Sequence, residues 1–192
     1  YTTEKTIEEI LKKKSLGSID RELFNTINKN SDILIGDLIV SPFGISHDAA
    51  DPVAYTVKHA EDLSKKIGVV TDLGEYNESQ IEILQNCGIL LAESNHDRKM
   101  LEVGPYPYET KRRIMSKYGH LSNDDCSDFV NHLLHDNMKT LLLGHLSKNN
   151  NYELLAYETV RHGIDSGDQE YRANDFDIRV ANSDKPSDII VI

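Results

Sequence analysis

Short apolar runs punctuate the chain, each of strand length and each giving way at once to residues that can bind a ligand or carry a proton. Ser41 to Ser46 leads into His47, Gly68 to Thr71 into Asp72, Ile89 to Glu93 into Asn95-His96-Asp97, and Leu141 to Gly144 into His145. Runs this short, bounded by Gly and polar residues, read as buried strands rather than helices. Loops held at strand ends by a rigid sheet are where binding groups concentrate, so the recurrence constrains function as well as fold.

Further strands are predicted over Ile33 to Ile45, broken by a Gly36-Asp37 hairpin turn, over Val53 to Lys58, and over Phe176 to Ala181 and Ile189 to Ile192 around an Asp-Lys-Pro-Ser turn. Helical periodicity is read in Thr6 to Leu16, Ile19 to Ile27, Glu78 to Asn86, Lys111 to Lys117, Asn123 to Leu134 and Asn150 to His162, with Gly17 ending the first and Ser122 capping the fifth. The order is mixed rather than strictly alternating, which suits a layered α/β fold with helices covering sheet faces. No repeat or linker divides residues 1–192, so a single domain is expected, and 39% hydrophobic content suffices for one core. The chain opens on Tyr1 rather than Met, so a processed, trimmed or incomplete polypeptide is expected.

No run approaches the roughly 18 apolar residues needed to cross a bilayer, and no membrane association is expected. Cys87 and Cys126 have no C-x-x-C spacing, which points to a reducing cytoplasm. Neither reads as a nucleophile: Cys87 sits in an apolar run, and the carboxylates flanking Cys126 disfavour its thiolate. There is no G-x-S-x-G elbow and no phosphate-cradling Gly-rich loop. A net charge of −11 argues against a broad basic surface for coating nucleic acid. It leaves room for a metal-centred nuclease, because the ions supply their own positive charge. The one local basic group, Lys111-Arg112-Arg113 with Lys117, reads either as a phosphate contact, Arg112 included, or as a solvated helix face.

Neutral imidazole and carboxylate together are what a borderline dication such as zinc or manganese selects, and His47, Asp72 and His145 supply both. A lone histidine at a strand end is also a common structural residue, so both readings stand at this point. His120 opens the stretch Gly119 to Asn123 before a helix. Of the other histidines, His59, His132, His135 and His162 are expected to be structural or solvated, His162 as a cation at a helix end.

At these residues the chain resembles the WalJ/YycJ-type (VicX) branch of the metallo-β-lactamase-fold hydrolases, which is related to ribonuclease Z. The matching stretches are Ser46 to Tyr55, Gly68 to Gly74, Glu93 to Asp97, Gly104 to Pro107, Gly119 to Asn123 and Gly144 to Asn150. The resemblance implies the C-terminal part of a four-layer αββα fold and two divalent metal ions, Zn or Mn, with His47, Asp72 and His145 as ligands and Asp72 bridging. It implies general-acid work for His120 and a site contact for His96. It implies a phosphodiesterase acting on nucleic acid, DNA favoured, with no protein partner required. The family's H-x-H-x-D-H motif occurs nowhere in this chain. Residues 1–192 alone are therefore expected to bind metal poorly, to expose sheet strands and to be inactive or nearly so. Two other readings are open: the same fold acting on a small ester, lactone or thioester, and a non-catalytic remnant.

Overall fold

A computed structural model describes residues 1–192. Its centre is a seven-stranded sheet in the order β3-β4-β5-β6-β7-β8-β9. The strands are β3 (Ile33–Ile35), β4 (Leu38–Gly44), β5 (Val53–His59), β6 (Asp62–Val70), β7 (Ile89–Glu93), β8 (Thr140–Gly144) and β9 (Asp177–Val180). Pairing is antiparallel from β3 to β6 and parallel from β6 to β9. A small parallel pair, β1 (Thr2–Thr3) with β2 (Thr26–Ile27), stands apart beside α1 (Glu4–Lys12).

Strand direction decides where the loops meet. Two antiparallel steps give β4 the same direction as β6, and β7, β8 and β9 follow β6 in parallel. The carboxyl ends of β4, β6, β7 and β8 therefore lie at one end of the sheet, where open α/β sheets hold their ligands. β7 and β8 are buried along most of their length, as continuous apolar runs require. The helices α2 (Glu78–Leu84), α5 (Asn123–Asn131) and α6 (Glu153–Ser166) supply Leu84, Phe129, Val130, Val160 and Ile164 to the core that also holds Val70, Leu90, Leu141 and Leu143. Leu34, Leu38 and Leu63 are exposed on β3, β4 and β6. No helix is long and apolar enough to cross a membrane.

Local chemistry sets the boundaries. Gly36 turns the β3–β4 hairpin with φ +62° and Asp37 stays at negative φ, the type II′ pattern. Ser122 caps α5 in a full capping box with Asp125. Lys66, buried on β6, donates its Nζ to the carbonyls of Ile83 (2.6 Å) and Gln85 (2.7 Å) and so satisfies the C-terminal end of α2.

Several expectations are corrected. Ile19 to Ile27 is not a helix: Asp20 accepts from the Glu22 amide to close a single 3-10 turn, and β-branched Thr26 and Ile27 pair with Thr2 and Thr3. Ile189 to Ile192 forms no strand: it pairs with no strand of the sheet, and Ile192 lies against Gly88. α6 continues to Ser166, so His162 sits a turn inside it and caps nothing. Two short helices, α3 (Arg98–Val103) and α4 (Tyr108–Ile114), occupy the stretch before α5, and Lys117 lies beyond the second. α3 has no apolar period to betray it; the Asp97 side chain starts it by accepting from the Met100 amide at 2.7 Å.

Two glycines mark where the site loops touch. A Cβ on Gly74 would lie 2.3 Å from the Lys117 carbonyl oxygen, and one on Gly119 would lie 2.0 Å from that of Ile114. The Gly74 amide also donates to the Ser46 carbonyl at 2.8 Å, joining the loops after β4 and β6. Gly74→Ala should destabilise the protein by about 1–3 kcal/mol, as overpacking against backbone does. Urea unfolding measures it; an unchanged midpoint would mean that these loops part freely.

Candidate metal centre

Four side chains singled out in the sequence converge at the carboxyl end of the sheet. His47 follows β4, Asp72 follows β6, His145 follows β8, and His120 comes from the loop between α4 and α5. Asp72 and His145 sit at φ +59° and +58°. Left-handed backbone is uncommon for any residue with a Cβ, though Asp and His tolerate it better than most. Here it turns each side chain back over its strand end, and such strain concentrates at functional positions.

The residue that organises them is Glu93, the last of β7, with no exposed surface. Its Oε1 accepts from Nδ1 of His120 and Nδ1 of His145, each at 2.7 Å, and its Oε2 accepts from the Leu73 amide at 2.6 Å. Burial works against this carboxylate, but the hydrogen bonds from His120 and His145 outweigh it and hold its pKa below the usual range. The same bond raises the pKa of His145 above the ordinary imidazole value, against the opposing effect of burial. With Nδ1 engaged by Glu93, only Nε2 of each ring is left without a partner in this pairing, the way in which metal-binding histidines are held.

His47 is fixed in the same way by a different group, its Nδ1 lying 3.1 Å from the Gly119 carbonyl oxygen. Its Nε2 then stands 3.4 Å from Oδ1 of Asp72, and His145 Nδ1 lies 3.8 Å from that oxygen on the other side. The rings of His47 and His120 have centroids 5.0 Å apart, and those of His120 and His145 5.2 Å. Ligand atoms of His47, Asp72 and His120 fall within 4.8 Å of one another, as do those of Glu93, His120 and His145. A half-exposed carboxylate among oriented imidazoles is a donor set that fits a divalent cation.

Around this centre the motif residues act as struts. Asn151 Nδ2 donates to the carbonyls of Ser94 (2.9 Å) and Asn95 (3.0 Å) and to Oδ1 of Asn123 (2.9 Å). Asn95 in turn donates to the His145 carbonyl at 2.8 Å. Arg113 pairs with Asp48 through both carboxylate oxygens, tying α4 to the loop that carries His47. That guanidinium holds the Asp48 pKa below the usual carboxylate range.

His96 is not among the converging groups but lies beside them, buried and lining a cavity with His120. Arg112 faces solvent, 3.7 Å from Glu109 one turn away, and it is Lys111 that reaches the cavity. His59, His132, His135 and His162 lie outside the cluster; Nε2 of His135 lies 3.1 Å from the Cys87 carbonyl oxygen. Cys87 is pushed up to about 11 by burial, which outweighs the nearby Lys66. Cys126 is raised too, by burial first and by Glu93 before its sequence neighbour Asp125. Sequence reasoning missed Glu93 as a site residue. Its one signal was a carboxylate closing an otherwise apolar run, where burial demands a partner.

Glu93→Gln should lower stability by on the order of 3 kcal/mol at neutral pH, as removing one partner of a buried charged pair does. The Glu93 pKa is depressed on folding, so its contribution is complete above the unfolded value and is lost as pH falls through the folded one. The His145 pKa is raised, so its share is complete below the unfolded imidazole value and is lost as pH rises through the folded one. Urea unfolding in metal-chelated buffer should therefore show the gap between wild type and variant widest between the carboxylate and imidazole ranges. A gap independent of pH would refute the pairing.

No family model matches the chain. It is 33% identical over 168 residues to exodeoxyribonuclease WalJ of Streptococcus pneumoniae, a match that takes in 88% of this chain and 61% of the relative. It is 37% identical over 125 residues to exodeoxyribonuclease YycJ of Bacillus anthracis, covering 65% of this chain and 46% of that one. The chain thus spans about 61% of the length of the Streptococcus relative. Among solved structures it resembles the metallo-β-lactamase fold protein YhfI of Bacillus subtilis, with a TM-score of 0.57 at 13% identity over 83% of this chain and 52% of that one. The arrangement of strand-end histidines around Asp72 and Glu93 accordingly stands on a metallo-β-lactamase fold, and the chain is similar in sequence to the WalJ/YycJ proteins.

Proposed function

We propose that residues 1–192 form, within one metallo-β-lactamase-like domain, much of the active site of a divalent-metal-dependent phosphodiesterase that acts on DNA. The observation that carries this reading is the convergence of His47, Asp72, His120 and His145 on one strand-end cluster braced by the buried Glu93. The DNA assignment is supported by two relatives that bear the name exodeoxyribonuclease.

In this reading His47, Asp72 and His145 would be ligands of two divalent metal ions, Zn or Mn. When bound, such ions supply positive charge at the phosphate and lower the pKa of water towards neutrality. The remaining work belongs to the chain's own side chains. Glu93 would hold the His120 ring through Nδ1, so that a proton carried on Nε2 can pass to the departing oxygen. Glu93 thus acts as a positioning residue for His120 and, through the same oxygen, for His145. Two imidazoles and one carboxylate are too few to complete two metal coordination shells, so activity is assigned to the full-length protein in the cytoplasm and little or none to residues 1–192 alone.

In the full-length protein, His120→Ala should reduce hydrolysis of DNA ends by about 10²–10⁴-fold with metal content unchanged, the usual contribution of a general acid. Asp72→Ala should lose metal and activity together. Elemental analysis with a nuclease assay separates the two roles. Turnover unaffected by His120→Ala would remove the acid assignment, and hydrolysis of a small ester or thioester without DNA cleavage would redirect the substrate class.

A further inference from the structure

Next to His120 lies a cavity of about 620 Å³, whose walls come from the loop after β7, α3, α4 and the start of α5. Its features do not repeat those of the metal centre. The His96 side chain lines it while only 2% exposed, and its Nδ1 is buried with no hydrogen-bond partner in the protein. No protein group hydrogen-bonds the other ring nitrogen either, and Nε2, unlike Nδ1, is not sealed from the cavity, so it is free to take a partner from outside. Burial pushes the His96 imidazole down to about 4, so the ring is neutral at physiological pH and offers one donor and one acceptor.

The charged groups of the lining balance. Arg98 is paired with Asp125 at 2.5 Å, and Lys111 donates to the Glu102 backbone carbonyl at 2.7 Å while the Glu102 side chain also borders the space. Two cations facing two carboxylates give no net attraction for a second phosphate. Besides Gly74, the remaining walls are Tyr108 and Met115, which are 71% and 53% exposed and form an aromatic and thioether rim. A neutral, planar, hydrogen-bonding group fits these walls: the ring finds a face on Tyr108, and its polar edge finds His96. His120, which borders both the cavity and the metal centre, places that group on the side where the departing oxygen leaves.

We propose that this cavity is a nucleoside subsite, taking the base and sugar on the leaving-group side of the scissile phosphate, with His96 bonding the base and Tyr108 stacking on it. The inference rests on the phosphodiesterase reading. It adds that recognition of the departing nucleoside is by shape and stacking rather than by further phosphate contacts, since stacking on an aromatic ring accepts any base.

Binding of deoxyadenosine 3′-monophosphate and 5′-monophosphate to the full-length protein tests it, since these are the two ways a nucleoside can be joined to the phosphate at the metal centre. Deoxyribose 5-phosphate serves as the baseless comparison, and calorimetry is the readout. At least one nucleotide should bind about tenfold more tightly than deoxyribose phosphate, within the range that one base–aromatic stack contributes. Tyr108→Ala, at an exposed position that leaves the core untouched, should erase most of that advantage, and His96→Ala should reduce it. Equal affinity for all three probes in a protein that degrades DNA would overturn the subsite alone. An advantage that survives Tyr108→Ala and His96→Ala would place the base elsewhere and overturn it too. Equal affinity in a protein that does not cleave DNA would bring down the phosphodiesterase reading with it.

Discussion

The buried carboxylate of Glu93 joins three loops that are distant in the chain. It accepts the Leu73 amide from the loop after β6, His120 from the loop before α5 and His145 from the loop after β8. A carboxylate with no exposed surface is stable only when hydrogen bonds compensate its lost hydration. Satisfying Glu93 therefore requires those loops to close over the end of β7. The same closure brings the rings of His120 and His145 together, with centroids 5.2 Å apart, beside Asp72. Folding stability and site geometry depend here on a single group.

Strand direction makes that closure possible. Because β4, β6, β7 and β8 run the same way, their following loops meet without any long excursion of the chain. The left-handed turns at Asp72 and His145 then bring each side chain back over the sheet end instead of letting it follow the strand into solvent. The close backbone approach of Gly74 to Lys117 and Gly119 sets the distance between their two loops, and the Asn95, Asn123 and Asn151 network holds the layer behind them. The polar motif residues that touch no substrate thus have a physical role, which is to keep strained loops in one arrangement.

Charge is distributed to match. The net charge of −11 is a property of the whole surface, whereas the site gathers oriented imidazoles, and the adjoining cavity pairs its cations with its carboxylates. In the proposed reading a phosphate would be drawn to the cluster of His47, Asp72, His120 and His145, where bound dications would concentrate positive charge. Beyond that point the cavity presents a neutral imidazole and an aromatic ring. Such a division favours a substrate that is anionic at one point and neutral beside it.

Much was legible in the sequence because it is local. Continuous apolar runs declare buried strands, Gly36 declares the hairpin and Ser122 the start of α5, since each depends on backbone conformation or burial within a few residues. The recurrence of His47, Asp72 and His145 after such runs placed them at strand ends. Where the local signal was weak the reading failed: Ile19 to Ile27 and Ile189 to Ile192 carry enough apolar residues for an element but are decided by whether a partner strand lies alongside. Glu93 could not be recognised as the brace, because a carboxylate at the end of a run looks the same whether it faces water or three donors. Nor could the sequence tell that Lys111 rather than Arg112 reaches the cavity, or that His96 is left without a partner. Composition and pattern determined which segments would be strands and which residues would stand at their ends. Only the tertiary structure decided which of those ends meet, because that follows from strand order and direction, and these are set by long-range pairing that no local run encodes.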